Sequence, residues 1–361
     1  MKIGFLINDL NAGGAERATV SLANYFAEHG THTEIITFKD SGSFYPLSDE
    51  VKHCPVNFEK IPSGMSLKRL TGAIKRMFKL RSFIRSSELD ILIGMSFSMT
   101  WYTVFSTFFT KTKAIGTERN NPYKYKSSKF NTILRKVFYR FCDGYIFQTK
   151  KAAEFFTDKL KDTDTVIPNA IFNDAVYELE IPEKREQIIS AVGRLTEQKR
   201  FDILINAFSL VADKLPEYKL IIFGEGELRN ELEQQIKALS LEDKIFLPGT
   251  NPEVVKFINR TSMFVLSSDL EGMPNALMEA IAMGLPSIST RCDMGPEELI
   301  ENRVNGILTS VGSSEEIAQA MLEIANNPDF AEKLSENGRK LLKTHSIDEI
   351  SRQWLDFLSR I

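Results

Sequence analysis

Residues Ser267–Glu279 read SSDLEGMPNALME and follow directly on the apolar run Met263–Leu266. That run has the length of a buried strand, and Pro274 suits the first turn of a helix, where its missing N–H is not needed. Ala276, Leu277, Ala280 and Ile281 then mark an apolar stripe at helical spacing, which Gly284 and Pro286 close. Glu271 falls in the loop ahead of this helix and Glu279 within it. The first-turn N–H groups around Met273–Ala276 have no intrahelical acceptor and can hold phosphate or sugar oxygens. A carboxylate further along can accept two hydrogen bonds at once, as a ribose diol requires. Acidic residues near a helix start are favoured in any case, so the pair takes its meaning from its surroundings.

Outward from this stretch the pattern repeats. Gln187–Val192, Lys219–Phe223, Lys244–Leu247 and Ser287–Thr290 are further short apolar runs separated by helical segments. An earlier series has strands at Ile3–Ile7, Thr33–Phe38, Ile91–Met95, Ala114–Thr117 and Tyr145–Gln148, ending near Val166. Alternating strands and helices imply parallel sheets covered on both faces. The chain is therefore expected to form an α/β fold of two Rossmann-like domains, residues 1–170 and 171–344, with their ligand edges facing a central cleft. A last helix, within 345–361, is expected to pack back on the first domain.

Composition agrees with a soluble globular protein: 361 residues, 43% apolar and 26% charged. The three cysteines, Cys54, Cys142 and Cys292, are widely spaced and form no CxxC pair, which fits a reducing compartment. No secretory signal is visible at the start of the sequence. Ile91–Thr110 carries no charge, but its many Ser and Thr residues favour a strand and a packed helix over a membrane span. The net charge of −3 hides an asymmetry: residues 1–170 hold 25 Lys and Arg against 16 Asp and Glu, or +9, leaving −12 for the remainder. Such a split points the first half toward an anionic partner.

Three more motifs sit at strand-to-helix junctions. Asn11–Arg17 (NAGGAER) places Gly13 and Gly14 where a backbone can approach an anion at a helix start. Gly193–Lys199 (GRLTEQK) projects Arg194 and Lys199 beyond a strand end, suited to a diphosphate. Phe223–Glu227 (FGEGE) is explained by turn chemistry alone. Asp162-Thr-Asp164 has a metal-binding spacing, but its charged loop reads as solvated. Glu297-Glu298 reads as an ordinary acidic helix start, so a hydrolase carboxylate pair is unsupported.

Taken together, these motifs resemble the family-4 retaining glycosyltransferases of the two-Rossmann GT-B class, in particular enzymes that extend polyprenyl-diphosphate-linked glycans or bacterial surface polysaccharides. The resemblance covers most of the chain, and its most specific element is the Glu271–Glu279 spacing. It implies that Glu271 contacts the transferred sugar, that Glu279 holds the ribose, and that Arg194 and Lys199 take the diphosphate. It also implies Gly14 beside the diphosphate, backbone groups of Met273, Pro274, Asn275, Ala276 and Leu277 completing the donor site, and Phe246–Thr250, Gly249 included, lining the base pocket. Many family members carry a histidine after a first-domain strand; here the segment reads Thr117–Pro122 (TERNNP), where Arg119 or Glu118 takes the place.

The expected function is retaining transfer of a hexose or N-acetylhexosamine from a nucleotide sugar, UDP-linked, to a lipid-linked or polysaccharide acceptor, with no cofactor and no metal. No side-chain nucleophile stands out, and the cations with the helix amides would stabilise the leaving diphosphate. Ser66–Arg85 reads as a basic amphipathic helix in which Leu67, Leu70, Ile74, Phe78 and Phe83 alternate with Lys68, Arg69, Lys75, Arg76, Lys79 and Arg81. It suits an anionic membrane surface and a diphosphate-lipid headgroup, and with it a peripheral cytoplasmic location. The alternatives are a nucleotide-sugar 2-epimerase and a catalytically silent nucleotide-sugar-binding partner. No recognition motif for nucleic acid accompanies the basic half.

Overall fold

The computed structural model describes residues 1–11, 13–58, 67–119, 121–123, 129–157 and 160–361, with the side chains of 67–71, 73 and 129–131 left aside. In chain order the first elements are β1 (Lys2–Ile7), α1 (Gly14–Glu28), β2 (His32–Thr37), β3 (Lys52–Pro55), α2 (Leu67–Ser87), β4 (Ile91–Gly94) and α3 (Phe97–Thr107). Then come β5 (Lys113–Glu118), α4 (Lys129–Phe141), β6 (Gly144–Phe147), α5 (Lys150–Phe156) and β7 (Asp164–Val166). The second half runs α6 (Ala175–Glu178), β8 (Glu186–Val192), α7 (Phe201–Ser209), β9 (Lys219–Phe223), α8 (Arg229–Ala238), β10 (Ile245–Gly249), α9 (Val254–Ile258), β11 (Thr261–Leu266) and α10 (Asn275–Ala282). It closes with β12 (Ser287–Thr290), α11 (Pro296–Leu299), β13 (Ile307–Thr309), α12 (Ser314–Asn326), α13 (Pro328–Gly338), α14 (Leu341–Thr344) and α15 (Ile347–Leu358).

Two compact units result, Met1–Phe172 with Ile347–Ile361, and Asn173–Ser346. The first holds a seven-stranded sheet in the order β3-β2-β1-β4-β5-β6-β7, the second a six-stranded sheet in the order β10-β9-β8-β11-β12-β13. The strand pairs in both are parallel. Buried strands such as Ile91–Gly94 are apolar on both faces, as a sheet covered twice requires. Sequence patterning missed β3 and β13, edge strands of four and three residues whose side chains give no periodicity, β3 ending in Pro55.

The core of the first unit joins Val20, Leu22, Ala23 and Phe26 of α1 to Ile350, Trp354, Phe357 and Leu358 of α15. That contact holds the chain end on the first sheet's face after the excursion through the second unit. The uncharged segment 91–110 becomes β4 and α3, in which Thr100, Ser106 and Thr107 donate their hydroxyls to carbonyls three or four residues back. No helix among the described residues is long and apolar enough to cross a membrane.

Candidate functional site

The second sheet reverses its strand order between β8 and β11, so the loops leaving these neighbours diverge and open a crevice at their carboxyl ends. Arg194 and Lys199 follow β8, and Glu271 follows β11, so both loops named from the sequence start at this point. Lys199 Nζ donates to Glu271 Oε1 at 2.6 Å, and Ser268 Oγ donates to the same oxygen at 2.6 Å. Glu271 is 7% exposed, so this carboxylate is held by its partners and hardly by solvent. The two loops are also tied through their backbones: Ser267 Oγ donates to the Lys199 carbonyl at 2.8 Å and Asp269 N to that of Gln198 at 2.9 Å. Arg200, at φ 48°, reaches Asp202 and Asp269 and fixes the corner between them.

α10 starts one residue later than the sequence implied. Pro274 is its N-cap, with extended ψ 102°, and offers no side-chain acceptor for the first turn. The first intrahelical bond is Met278 N to the Pro274 carbonyl, so the N–H groups of Asn275, Ala276 and Leu277 lie in the first turn ahead of the helical ladder. Met273 and Leu277 are buried, and Glu279 sits inside the helix at 6% exposure with a partner of its own. The loop has no room to spare: a Cβ on Gly295 would stand 1.9 Å from the Gly272 carbonyl oxygen and 2.6 Å from Pro274 Cδ. Cys292, wholly buried behind this loop, has its thiol pushed up to about 12 by burial and then by the Glu271 carboxylate.

Beside the crevice lies a cavity of about 370 Å³ lined by Val192, Gly193, Arg194, Phe223, Gly224, Glu225, Thr250, Asn251 and Val254. Glycines let its two edges meet, since a Cβ on Gly224 would strike the Gly193 carbonyl at 1.8 Å and one on Gly226 the Leu195 backbone at 2.3 Å. The stretch Phe246–Thr250, expected to line a base pocket, meets this cavity at one residue. Phe246 faces outward under Lys219, and Gly249, at φ 87°, ends β10 beside Glu225; of that stretch only Thr250 lines the wall, followed by Asn251 and Val254. Glu225 is bound by Arg229 through bonds of 2.7 and 2.8 Å, which holds its carboxyl below the ordinary value.

In the first unit Gly14 opens α1 behind Gly13, whose carbonyl accepts from Tyr45 Oη at 3.2 Å. Arg119 and Glu118 separate at the end of β5. Arg119 donates to Asn169 Oδ1 at 2.6 Å within a group that includes Gln148, and burial lowers its pKa to about 10 against the opposing charge of Glu16. Glu118 is fully buried and faces α4, with Arg135 at 3.5 Å and that guanidinium stacked on Phe97. A carboxylate enclosed in this way has no route to a substrate, so its catalytic assignment is corrected to a structural one. Asp164 is likewise not a solvated loop residue: it lies in β7 and accepts from Tyr139 Oη and Lys161 N. Among the described residues no group of three or more His, Cys, Asp and Glu side chains is assembled for a metal.

The cations of α2 divide. Lys75 is exposed, but Arg76 stacks on Phe58, Lys79 donates to the Val56 carbonyl at 2.8 Å, and Arg81 caps α3 through the carbonyls of Phe105, Ser106 and Phe108. The reading of these three as membrane-facing is corrected accordingly, because the ring under Arg76 and the carbonyls that Lys79 and Arg81 satisfy belong to this chain. The side chains of Lys68 and Arg69 lie outside the described residues.

Residues 176–341 match the model of glycosyl transferases group 1, and residues 12–173 that of Glycosyltransferase Family 4. A Campylobacter jejuni GalNAc-alpha-(1->4)-GalNAc-alpha-(1->3)-diNAcBac-PP-undecaprenol alpha-1,4-N-acetyl-D-galactosaminyltransferase is 30% identical over 365 residues, covering 100% of this chain and 99% of that protein. An uncharacterized glycosyltransferase of Haemophilus influenzae is 28% identical over 360 residues, 99% of each chain. Among solved structures, Anabaena HepE in complex with UDP-glucose superposes with a TM-score of 0.82 at 19% identity, over 100% of both chains.

Proposed function

The chain belongs to the family 4 glycosyltransferases and has their GT-B fold, and from that premise we propose that it moves an N-acetylhexosamine or hexose from a UDP-linked donor to a polyprenyl-diphosphate-linked glycan, with retention at the anomeric carbon. The observation that carries the proposal is the joining of Lys199, Ser268 and Glu271 at the switch point of the second sheet, ahead of the first turn of α10. In this arrangement Arg194, Lys199 and the amides of Asn275–Leu277 supply positive potential for a leaving diphosphate, the role a divalent ion would otherwise fill. Lys199 already spends its charge on Glu271, so an arriving diphosphate shares the ammonium with that carboxylate. The shared contact keeps Glu271 oriented toward a sugar hydroxyl, and Glu279 takes the ribose diol from within the helix.

The cavity behind Arg194 suits the base, flanked by Thr250 and Asn251 as hydrogen-bonding groups. Transfer then proceeds by attack of the acceptor hydroxyl on the face the diphosphate leaves, the departing phosphate oxygen taking the hydroxyl proton. Arg119 falls in the segment where the resemblance expects a histidine; its charge, opposed by that of Glu16, is suited to a phosphate or a developing negative oxygen. The lipid-linked acceptor is the class in the name of the Campylobacter relative, and UDP-glucose is the ligand described for HepE. The epimerase alternative has no support from the sequence relatives above, each named a glycosyltransferase.

A panel of UDP- and GDP-sugars assayed against polyprenyl-diphosphate-linked sugars, with released nucleotide as readout, tests the proposal. Release with one or a few UDP-sugars, unchanged by EDTA and giving a product of retained configuration, is the expected result. No release with any donor sinks the enzyme reading, and an inverted product sinks the mechanism.

A further inference from the structure

We infer that the outer face formed by α4 and the turn after α3 is a docking surface for an anionic lipid bilayer. α4 turns Ile133, Val137 and Phe141 outward, at 60, 39 and 58% exposure, one turn apart along a single line. A helix of a globular protein ordinarily buries such a stripe. At its end the stripe meets Phe108 and Phe109 around a cavity of about 450 Å³ that Lys111 and Lys113 also line. Phe109 is 83% exposed at φ 57°, a left-handed conformation that a bulky side chain adopts only at a cost and that glycine would relieve. An exposed phenyl ring is thus held at a strained position, edge-on to the neighbouring exposed Phe108 at 4.3 Å between ring centroids.

Charge identifies the occupant. Between Ile91 and Asp143 the sequence has nine Lys and Arg and two acidic residues, Glu118, which is buried, and Asp143, which pairs with Lys113 at 3.4 Å. Lys111, Lys136 and Arg140 are exposed around the apolar stripe. Neighbouring α2 extends the face with exposed Ile74, Lys75 and Phe78. Apolar side chains interleaved with cations, the exposed Asp143 being paired with Lys113 at 3.4 Å, are the composition of a surface that lies in the headgroup layer of an anionic membrane. A second copy of the chain would set these cations against each other. The inference stands apart from the donor-site reading, because lipid binding is measured with neither donor nor acceptor present.

The test is co-sedimentation of the full chain with phosphatidylcholine vesicles and with phosphatidylcholine–phosphatidylglycerol vesicles. Binding to the anionic vesicles alone, weakening with salt, is expected. Phe109→Ser, a change at a ring that is 83% exposed, and Phe109→Ser with Phe141→Ser should remove most of it. Lys111→Gln and Arg140→Gln should each lower the partition coefficient about fivefold. Arg76→Gln, whose guanidinium rests on Phe58, should lower it less. The inference is overturned by equal binding to neutral vesicles, by no binding, or by binding that the phenylalanine changes leave intact. It is also overturned if light scattering shows a dimer that Phe109→Ser dissolves, since the face would then belong to a second copy.

Discussion

Removing Lys199 should destabilise the second unit more than removing Lys199 and the charge of Glu271 together. Glu271 is 7% exposed, and its Oε1 accepts from Lys199 and from Ser268, each at 2.6 Å. In Lys199→Met the carboxylate keeps the serine hydroxyl but loses its counter-charge in a site that water barely reaches. Breaking a fully buried pair from one side costs roughly 3–5 kcal/mol. The lysine side chain retains 18% of its exposure, so about 2–3 kcal/mol is expected here. Glu271→Gln keeps the shape and a carbonyl acceptor for both donors, at a cost of about 1 kcal/mol. The double variant should fall near 1–2 kcal/mol, which gives a coupling of about 2 kcal/mol. Urea unfolding of the full chain supplies these differences. Hydrogen exchange in peptides spanning 261–290 assigns them to the second unit, because two units need not unfold together. If Lys199→Met is no worse than the double variant, the pair is not a desolvated one and the geometry argued for Glu271 fails.

Gly295→Ala should both destabilise the second unit and lower nucleotide affinity at least tenfold, because a methyl group 1.9 Å from the Gly272 carbonyl must push the loop ahead of α10; UDP titration calorimetry checks it, and unchanged affinity would mean that the loop is not a ligand site. Arg81→Met should cost about 1–3 kcal/mol by denaturant unfolding, since it strips the carbonyl end of α3, whereas Lys75→Gln should stay within about 0.5 kcal/mol. The thiols of Cys54, Cys142 and Cys292 are pushed up by burial to about 11, about 12 and about 12, so none should react with a thiol reagent at pH 8 in the folded chain and all three should after denaturation. Because these acids are raised in the folded state, their contribution to stability is complete below the ordinary thiol value near 9 and is lost as pH climbs toward 11 and 12. His345 has the opposite sense: burial lowers it from 6.5 to about 4, so the second unit should lose stability as pH falls through that interval, and His345→Gln should flatten the loss in a pH series of unfolding midpoints.

The motifs that locate the candidate site were legible because each sits on a junction between two periodicities. Met263–Leu266 ends a run of buried strand residues, and Ala276–Ile281 begins a helical stripe, so Glu271 had to lie at a strand's carboxyl end. The same argument placed Arg194 and Lys199 after β8 and Gly14 at the head of α1. Side-chain partners were another matter. Glu118 and Arg119 are adjacent in sequence, yet one is enclosed against Arg135 from α4 and the other reaches Asn169 beyond β7. Nothing local distinguishes them, since the partners come from segments 17 and 50 residues away. No part in the site was read for Ser268, Gly295 or Cys292, for the same reason. A serine becomes a ligand of Glu271, and a glycine a necessity, only when loops from different strands are pressed together.

The basic helix α2 marks the limit most plainly. Its sequence carries cations at helical spacing, and composition assigns all of them to one outer face. In the structure the carbonyls of β3's following loop and of α3's end hold Lys79 and Arg81, while α4 leaves Ile133, Val137 and Phe141 uncovered. The sequence alone determined the two parallel-sheet units, the donor-type motifs and their order, because strand and helix periods and turn residues are local properties. Which cations are spent on the chain's own carbonyls, which apolar residues stay outside and which carboxylate is left facing a ligand were decided only by tertiary packing, since burial and hydrogen-bond partnership depend on what other segments bring to the same place.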